Sequence, residues 1–280
     1  MFSTFRAKWE QHYSETPALT LFVSILAVSW LVLIVLTLVT HGWALWYTID
    51  FNPQSYIFGD HFDSLVYGMD SPYVKWHVIY PPFIMIVYGC LGWLTSNYET
   101  GYGEDQFQIL STSEFPLFVF VVFMIVSLVI FHRIFVKIVS RGYEYSKVDI
   151  LFFFVLFSLP VMYAIQRGNC VFYALDAILL FLLGYRSENK CIRYLSYVAL
   201  VVAVNIKLYP ALLAFLVLRE GRAKEFLFCV IASAALFLVP FLFFEGGLPV
   251  FLDTLFNYSS PSADNLGSLI GLRQWIGGIG

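Results

Sequence analysis

Asp60 and Asp63, in the run GDHFDS that starts at Gly59, are the first residues whose type and spacing suggest chemistry. On a helical turn, residues three apart share a face, so both carboxylates would point to one side. A carboxylate placed in this way can take a proton from an attacking hydroxyl. The alternative is that the pair only solvates a loop, which is how Asp70, Glu104 and Asp105 are read. A second group is the run QRGN, Gln166 to Asn169, where Arg167 is the only basic residue between the clusters at 133–147 and 186–193. The third is Lys207, a cation inside the apolar run Tyr194 to Leu218. Such a charge is expensive in lipid unless it faces a polar cavity or a partner. Arginine through its planar fork and lysine as a point charge could together hold a phosphate or pyrophosphate. For Arg167 the competing reading is snorkelling to the interface. Asp176 is either a counter-ion to one of these cations or a carboxyl kept neutral by burial.

These groups need elements to position them, and composition says where those elements lie. The 280 residues are 60% hydrophobic and 12% charged, with 29 Phe, which is far from the soluble average and reads as a chain living in lipid. Apolar runs occur at about 17–40, 116–136, 148–165, 170–185, 194–218 and 225–244. Those near 20 residues are long enough to span a hydrocarbon core of roughly 30 Å. The first run has no small-residue cleavage site before a polar mature chain, so a retained helix is expected. The fold class is therefore all-α, a polytopic membrane protein forming one membrane domain over 1–280.

Charge placement gives the expected sidedness, because Lys and Arg stay on the cytoplasmic side. From His41 to Phe115 there is one basic residue, Lys75, against eight acidic ones, so 41–115 is expected to be an outer loop. The clusters Arg133/Lys137/Arg141/Lys147, Arg186/Lys190/Arg193 and Arg219/Arg222/Lys224, with Arg6 and Lys8, hold 12 of the 16 basic residues. They are expected inside, with 1–16 cytoplasmic and 245–280 outer or an incomplete C-terminal segment. This threading makes two demands. Pro82 to Leu94 must lie on or dip into the outer face, as a helix starting after Pro81 and Pro82 that lays Phe83, Ile84, Ile86 and Val87 on lipid or protein. The run holding Lys207 must be two half-length helices meeting near 205–210, where Asn205, Lys207 and Pro210 make a break cheap. The alternative is one straight helix, which would put Arg219, Arg222 and Lys224 outside.

Other chemistries leave no trace. Cys90, Cys170, Cys191 and Cys229 form no CxxC pair and read as buried free thiols. No internal repeat, P-loop, zinc spacing or basic nucleic-acid stripe is visible, and the isolated Gly101 and Gly103 do not make a dinucleotide loop. No cofactor is expected, a divalent-metal requirement is left open, and no nucleic-acid partner is expected.

Four short motifs in order resemble the family 87 glycosyltransferases, alpha-mannosyltransferase-like membrane enzymes of the GT-C class. They are DHFDS from Asp60 with SPY ending at Tyr73, YPPF from Tyr80, RGN from Arg167, and NIKLYP from Asn205 to Pro210. The resemblance covers roughly residues 15–270. It implies a GT-C-like helical bundle whose first outer loop carries short juxtamembrane helices. It also implies inverting transfer of a sugar, mannose in this family, from a polyprenyl-phosphate donor to a lipid or glycan acceptor. On this resemblance Asp60 is the candidate base, with Asp63 the weaker choice because relatives often carry Asn there. Lys207 falls on the family's lysine, with a donor-phosphate role. Arg167, Asn169, Tyr80 and Tyr209 lie in the matching motifs as substrate-binding candidates. The expected setting is the bacterial plasma membrane, multi-pass, with the N-terminus cytoplasmic and membrane lipids as partners. Relatives usually continue for more helices, so a fragment or shortened form is expected from the stop at Gly280. Two competing classes are a transporter or lipid-handling protein, since broken helices with an intramembrane lysine also bind anions, and a catalytically inactive homologue. A transporter should show two related halves, and none is visible.

Overall fold

The computed structural model describes residues 17–41, 58–96, 114–139 and 145–257. Glu99, Glu104, Asp105, Arg141, the 1–16 segment and the residues after Asn257 lie outside them, as do the side chain of Lys147 and the parts of the outer loop at 42–57 and 97–113. The regular elements of the described residues are all helical, with no strand among them. In chain order the helices are α1 Pro17–Val39, α2 Gly59–Met69, α3 Pro82–Ser96, α4 Glu114–Val139, α5 Tyr145–Leu156 and α6 Leu159–Arg167. They continue with α7 Val171–Gly184, α8 Lys190–Ile206, a 3₁₀ turn Tyr209–Leu213, α9 Ala214–Arg219, α10 Ala223–Leu238, a 3₁₀ turn Val239–Phe243 and α11 Gly247–Asn257.

Two segments, Glu114–Ile138 and Ala223–Phe243, are long and apolar enough to cross a membrane. Only 28% and 17% of their apolar windows are buried inside the protein, so they are not core helices of a water-soluble body. Phe118, Ile125 and Val129 on the first and Leu227 and Ile231 on the second face outward. Apolar surface of this extent fits lipid. The remaining apolar helices are shorter, Pro82–Thr95, Val171–Gly184 and Tyr209–Arg219 among them.

Proline and polar residues set the breaks. The run 148–165, expected as one helix, is two: α5 stops at Leu156, and α6 begins after Ser158 with Pro160 in its first turn. A proline restricts the residue before it and suits a first turn, so the interruption falls just ahead of Pro160. The run containing Lys207 is also broken. α8 ends at Ile206, Lys207 is extended at φ −141° and ψ 136°, and Pro210 sits in the 3₁₀ turn that follows. The straight-helix alternative is therefore incorrect. α3 begins at Pro82, as the double proline dictates.

The helices α7 and α8 are joined by the turn at 185–189 and pack along each other. Their 14 and 17 residues make rods of roughly 21 and 25 Å. After the break at Lys207 the chain returns through α9 to Glu220, which pairs with Arg186 beside the α7–α8 turn. There Arg222 also donates to the Tyr185 carbonyl at 2.7 Å. α10 then leads to Glu245, which accepts from the Ser71 hydroxyl in the loop between α2 and α3. The body thus has two ends. One gathers 185–190 and 219–223, and the other gathers α2, the 70–81 loop, 167–170, Lys207 and Glu245.

The second end is held by aromatic and aliphatic packing. Phe62, Leu65 and Val66 of α2 pack with Ile84 and Tyr88 of α3, Cys170, Ala174 of α7 and Ile206 of α8. Fully buried Tyr73 stands among Phe241, Phe244 and Phe251, with ring centroids at 5.3, 5.4 and 5.5 Å. Its hydroxyl donates to the Tyr80 carbonyl at 3.1 Å, which fixes the end of the loop that delivers Tyr80. α2 crosses α3 at backbone contact. A Cβ on Gly68 would lie 2.4 Å from the Gly89 nitrogen, so small residues are required there.

Candidate functional site

Asp60 lies in the first turn of α2, and the geometry of that turn comes from the chain before it. Phe58 precedes the helix at φ 63°, its N–H donates to the Gln166 carbonyl at 2.8 Å, and its ring meets Phe120 of α4 at 4.4 Å. The start of α2 is thereby tied to the end of α6. α6 ends in Gly168 at φ 64°, whose N–H donates to the Ile165 carbonyl, and Asn169 follows by donating to the Ala164 carbonyl. A Cβ on Gly168 would stand 2.9 Å from the His61 Cβ and 3.3 Å from Phe120. Glycine is needed here twice, for the left-handed turn and for the close approach of α2.

This approach lets the run from Arg167 to Asn169 hold one carboxylate with both of its functional side chains. Arg167 donates to Asp60 Oδ1 from Nε at 3.0 Å and from Nη2 at 2.5 Å. Asn169 Nδ2 donates to Asp60 Oδ2 at 2.6 Å. The Oδ1 of Asn169 accepts the Val171 N–H at 2.9 Å, an Asx-type turn leading into α7. The side chain of Arg167 is 28% exposed and that of Asp60 18%, so the pair sits at the edge of solvent. The snorkelling reading of Arg167 and the loop-solvating reading of Asp60 both give way to this ion pair. Asn169, expected as a substrate binder, uses both ends of its amide on protein groups.

Asp63, one turn on, forms no hydrogen bond or ion pair among the described residues. Burial is the main cause that pushes its carboxyl up to about 6, the negative charge of Asp60 adds to this, and Arg167 opposes it. His61 lies between them in sequence but turns inward against Phe62, Tyr88 and Phe120. Burial holds it down to about 4, so it is a neutral packing group near neutral pH and not a base.

Lys207 arrives at the same place from the break after α8. Its Nζ stands 4.2 Å from the centroid of the Tyr80 ring, a cation–π contact, and no carboxylate pairs with it among the described residues. Tyr80 in turn feels Asn169, Asp60 and Arg167, and its hydroxyl is pushed upward chiefly by burial. Cys170 lies close enough to feel both Lys207 and Asp60. Tyr209 is the outlying member, more than half exposed beyond the break and within electrostatic range of Cys170. All seven candidates, Asp60, Asp63, Tyr80, Arg167, Asn169, Lys207 and Tyr209, thus fall in one region. Asp176 does not join it as a counter-ion: its carboxylate is bound by the Ser127 hydroxyl of α4.

Sequence reasoning did not single out Tyr88 or Tyr173, and it named Asn205 only for the helix break and its motif. The buried hydroxyls of Tyr88 and Tyr173 and the Asn205 Oδ1 have no hydrogen-bond partner among the described residues, and Tyr88 is within electrostatic range of Asp60. Asn205 donates to the Val201 and Ser233 carbonyls, which ties the end of α8 to α10 just before Lys207. Tyr88 had a readable signal, lying on α3 four residues after Ile84 and so on the same buried face, whereas nothing local marks Asn205 as a bridge. No group of three or more His, Cys, Asp or Glu that could hold a metal ion occurs among the described residues.

No curated protein and no solved structure matches the chain. The protein-family model described as Glycosyltransferase family 87 matches residues 78–278, a stretch that contains Tyr80, Arg167, Asn169, Lys207 and Tyr209 and begins after Asp60 and Asp63. With a match over more than half of its length, the chain belongs to glycosyltransferase family 87.

Proposed function

We propose that the protein transfers a sugar, mannose in the first instance, from a polyprenyl-phosphate donor to a hydroxyl of a lipid or glycan acceptor, with inversion. The observation that carries this is Lys207. It is a cation at a helix break with no carboxylate partner among the described residues, parked over Tyr80 beside an Asp60–Arg167 pair whose charges already offset each other. A lysine at a helix break with no carboxylate bonded to it among the described residues suits an anion, and a lipid phosphate is the anion reachable from the membrane.

In the proposed reaction the acceptor oxygen forms a bond to the sugar C1 from the face opposite the phosphate. The C1–O bond to phosphate breaks, and its electron pair leaves on the phosphate oxygen. Asp60 takes the acceptor's proton. Lys207 and Arg167 stabilise the charge that grows on the departing phosphate, and preorganised donors of this kind commonly supply the largest share of catalysis. Tyr80 holds the lysine, and Tyr209 lies where the sugar or the lipid head can reach it. The end carrying Arg186, Lys190, Arg193, Arg219, Arg222 and Lys224 faces the cytoplasm on the positive-inside rule, so the site faces outward and the chain crosses several times.

The test is transfer from labelled polyprenyl-phosphate sugars in membranes containing the protein, compared with K207M and K207R. Wild type should transfer, K207M should lose donor binding or rate, and K207R should recover only part, because a guanidinium does not reproduce an ammonium point charge. Unchanged transfer and donor affinity in folded K207M would remove the lysine from the phosphate site. Absence of transfer by wild type with every labelled sugar would sink the enzymatic reading and favour an inactive homologue or a lipid-handling protein.

A further inference from the structure

The Nε–Nη2 edge of Arg167, which grips Asp60, is one of the two paired-donor edges that an arginine offers a phosphate. Nε and Nη2 lie side by side in the guanidinium plane and both point at Asp60 Oδ1, at 3.0 and 2.5 Å. Two parallel donors from this fork are the usual means by which arginine binds a phosphate. The same two N–H groups cannot serve both oxyanions. Both oxygens of Asp60 are engaged by protein donors, Oδ1 by Arg167 and Oδ2 by Asn169, where an acceptor hydroxyl would need one of them. This pairing therefore competes with the roles proposed for both residues.

Asn169 offers the way out. It holds Asp60 Oδ2 at 2.6 Å independently of Arg167, and it is itself fixed by the Val171 N–H. If the fork left, Asp60 would stay oriented by Asn169 while Oδ1 opened. Lys207, which has no carboxylate partner among the described residues, is placed to receive a phosphate first.

We propose, resting on the function above, that Arg167 changes partners during the reaction: it pairs with Asp60 in the free protein and with the donor phosphate once Lys207 has drawn that phosphate in. Donor arrival thereby unmasks the base. The acceptor hydroxyl is deprotonated only when a leaving group is in place, so donor binds before acceptor. Asn169 acts as the positioning residue that keeps Asp60 aimed while its cationic partner is away.

The sign of one effect decides this. Farnesyl phosphate and inorganic phosphate are titrated into the purified full chain in detergent, with D60N and D63N beside wild type. Under the exchange, D60N removes a competitor for Arg167 and should tighten binding about tenfold, the equivalent of about 1.4 kcal/mol. D63N removes a nearby negative charge without touching the fork, so it should tighten binding about twofold or less. Tightening with farnesyl phosphate alone identifies a lipid head group as the ligand, and equal tightening with inorganic phosphate identifies the phosphate itself. Either supports the exchange. Unchanged or weaker binding by D60N would show Asp60 to be a fixed anchor for Arg167, and equal tightening by D60N and D63N would show a general field effect. Both results overturn the proposal. D60S is the second variant if D60N is not recovered folded. If neither is recovered folded, both are prepared with farnesyl phosphate present: recovery only with the probe supports the exchange, because the phosphate then replaces Asp60 on Arg167, and no recovery with it overturns the exchange. Failure of wild type to bind either probe would instead remove the proposed function, and the exchange with it.

Discussion

At one end of the helical body Arg167 reaches Asp60 Oδ1 from Nε at 3.0 Å and Nη2 at 2.5 Å, and at the other Arg186 reaches Glu220 Oε1 from the same atoms at 2.9 and 2.6 Å. The bond geometry is nearly the same, but the settings differ. Arg186 is 64% exposed, whereas Arg167 is 28% exposed and faces a carboxylate that Asn169 also binds. The parallel extends further. Gly168 and Gly221 both turn left-handed, at φ 64° and 73°, yet a Cβ would meet three neighbours at the first and nothing within 4 Å at the second. Asn169 and Asn189 each accept a helix N-terminal N–H at 2.9 Å, and only Asn169 also donates to a carboxylate. Local devices of one kind thus build a candidate site at one end and plain helix terminations at the other. What separates them is whether a second element, here α2, packs against them.

The comparison is broken most directly through the arginines. R167Q should cut transfer about 100-fold or more, on the scale of losing a preorganised donor at developing charge. R186Q should stay within about twofold of wild type, since an exposed pair contributes little. Parallel initial rates in membranes of equal protein content check this, and a comparable loss in both variants would make the two pairs equivalent.

The glycines should separate next. G168A combines left-handed strain with a clash against His61 and should cost about 3 kcal/mol. G221A carries the strain alone and should cost about 1 kcal/mol. Unfolding in detergent measures both, and equal losses would mean that α2 does not press on Gly168.

Asp63 gives the site end a pH dependence. Because its carboxyl is raised to about 6, the folded protein holds this proton at pH values where the unfolded chain has released it. Stability therefore falls as pH rises from the ordinary aspartate range to about 6, and the penalty is complete at pH 7. D63N should remove it, gaining about 2 kcal/mol at pH 7 and almost nothing near pH 4. The same gain at both pH values would mean that Asp63 does not titrate in this window.

The smallest effect belongs to the plain cap. N189A should cost about 1 kcal/mol of stability and leave transfer intact. N169A loses the turn that leads into α7 and releases Asp60 Oδ2, so transfer should fall with it. Intact transfer in N169A would confine Asn169 to that turn.

Several features were legible in the chain because their causes are local. Pro82 starts α3 and Pro210 marks the break beside Lys207, since a proline acts on its own turn and on the residue before it. The spacing of Asp60 and Asp63 placed both on α2. The interruption at Ser158 followed the same rule and was missed, because the apolar run through Pro160 satisfied a hydropathy reading that ignores the ring. The double use of Gly168, as a left-handed residue and as a contact for His61, had only its first half written locally.

The amino-acid sequence by itself determined the lipid-compatible composition, the helical class, the positions where helices must stop, and which residue types could carry charge into the apolar body. Those follow from side-chain chemistry and from backbone rules that act within a few residues. Only the tertiary structure decided that Asp60 and Arg167, 107 positions apart, share a bond. It likewise decided that Asp176 belongs to Ser127 and that Lys207 rests on Tyr80. Partner choice among distant polar groups depends on which helices pack together, and that is set by the fit of apolar faces such as Phe62, Ile84, Ala174 and Ile206, in which the charged groups have no part.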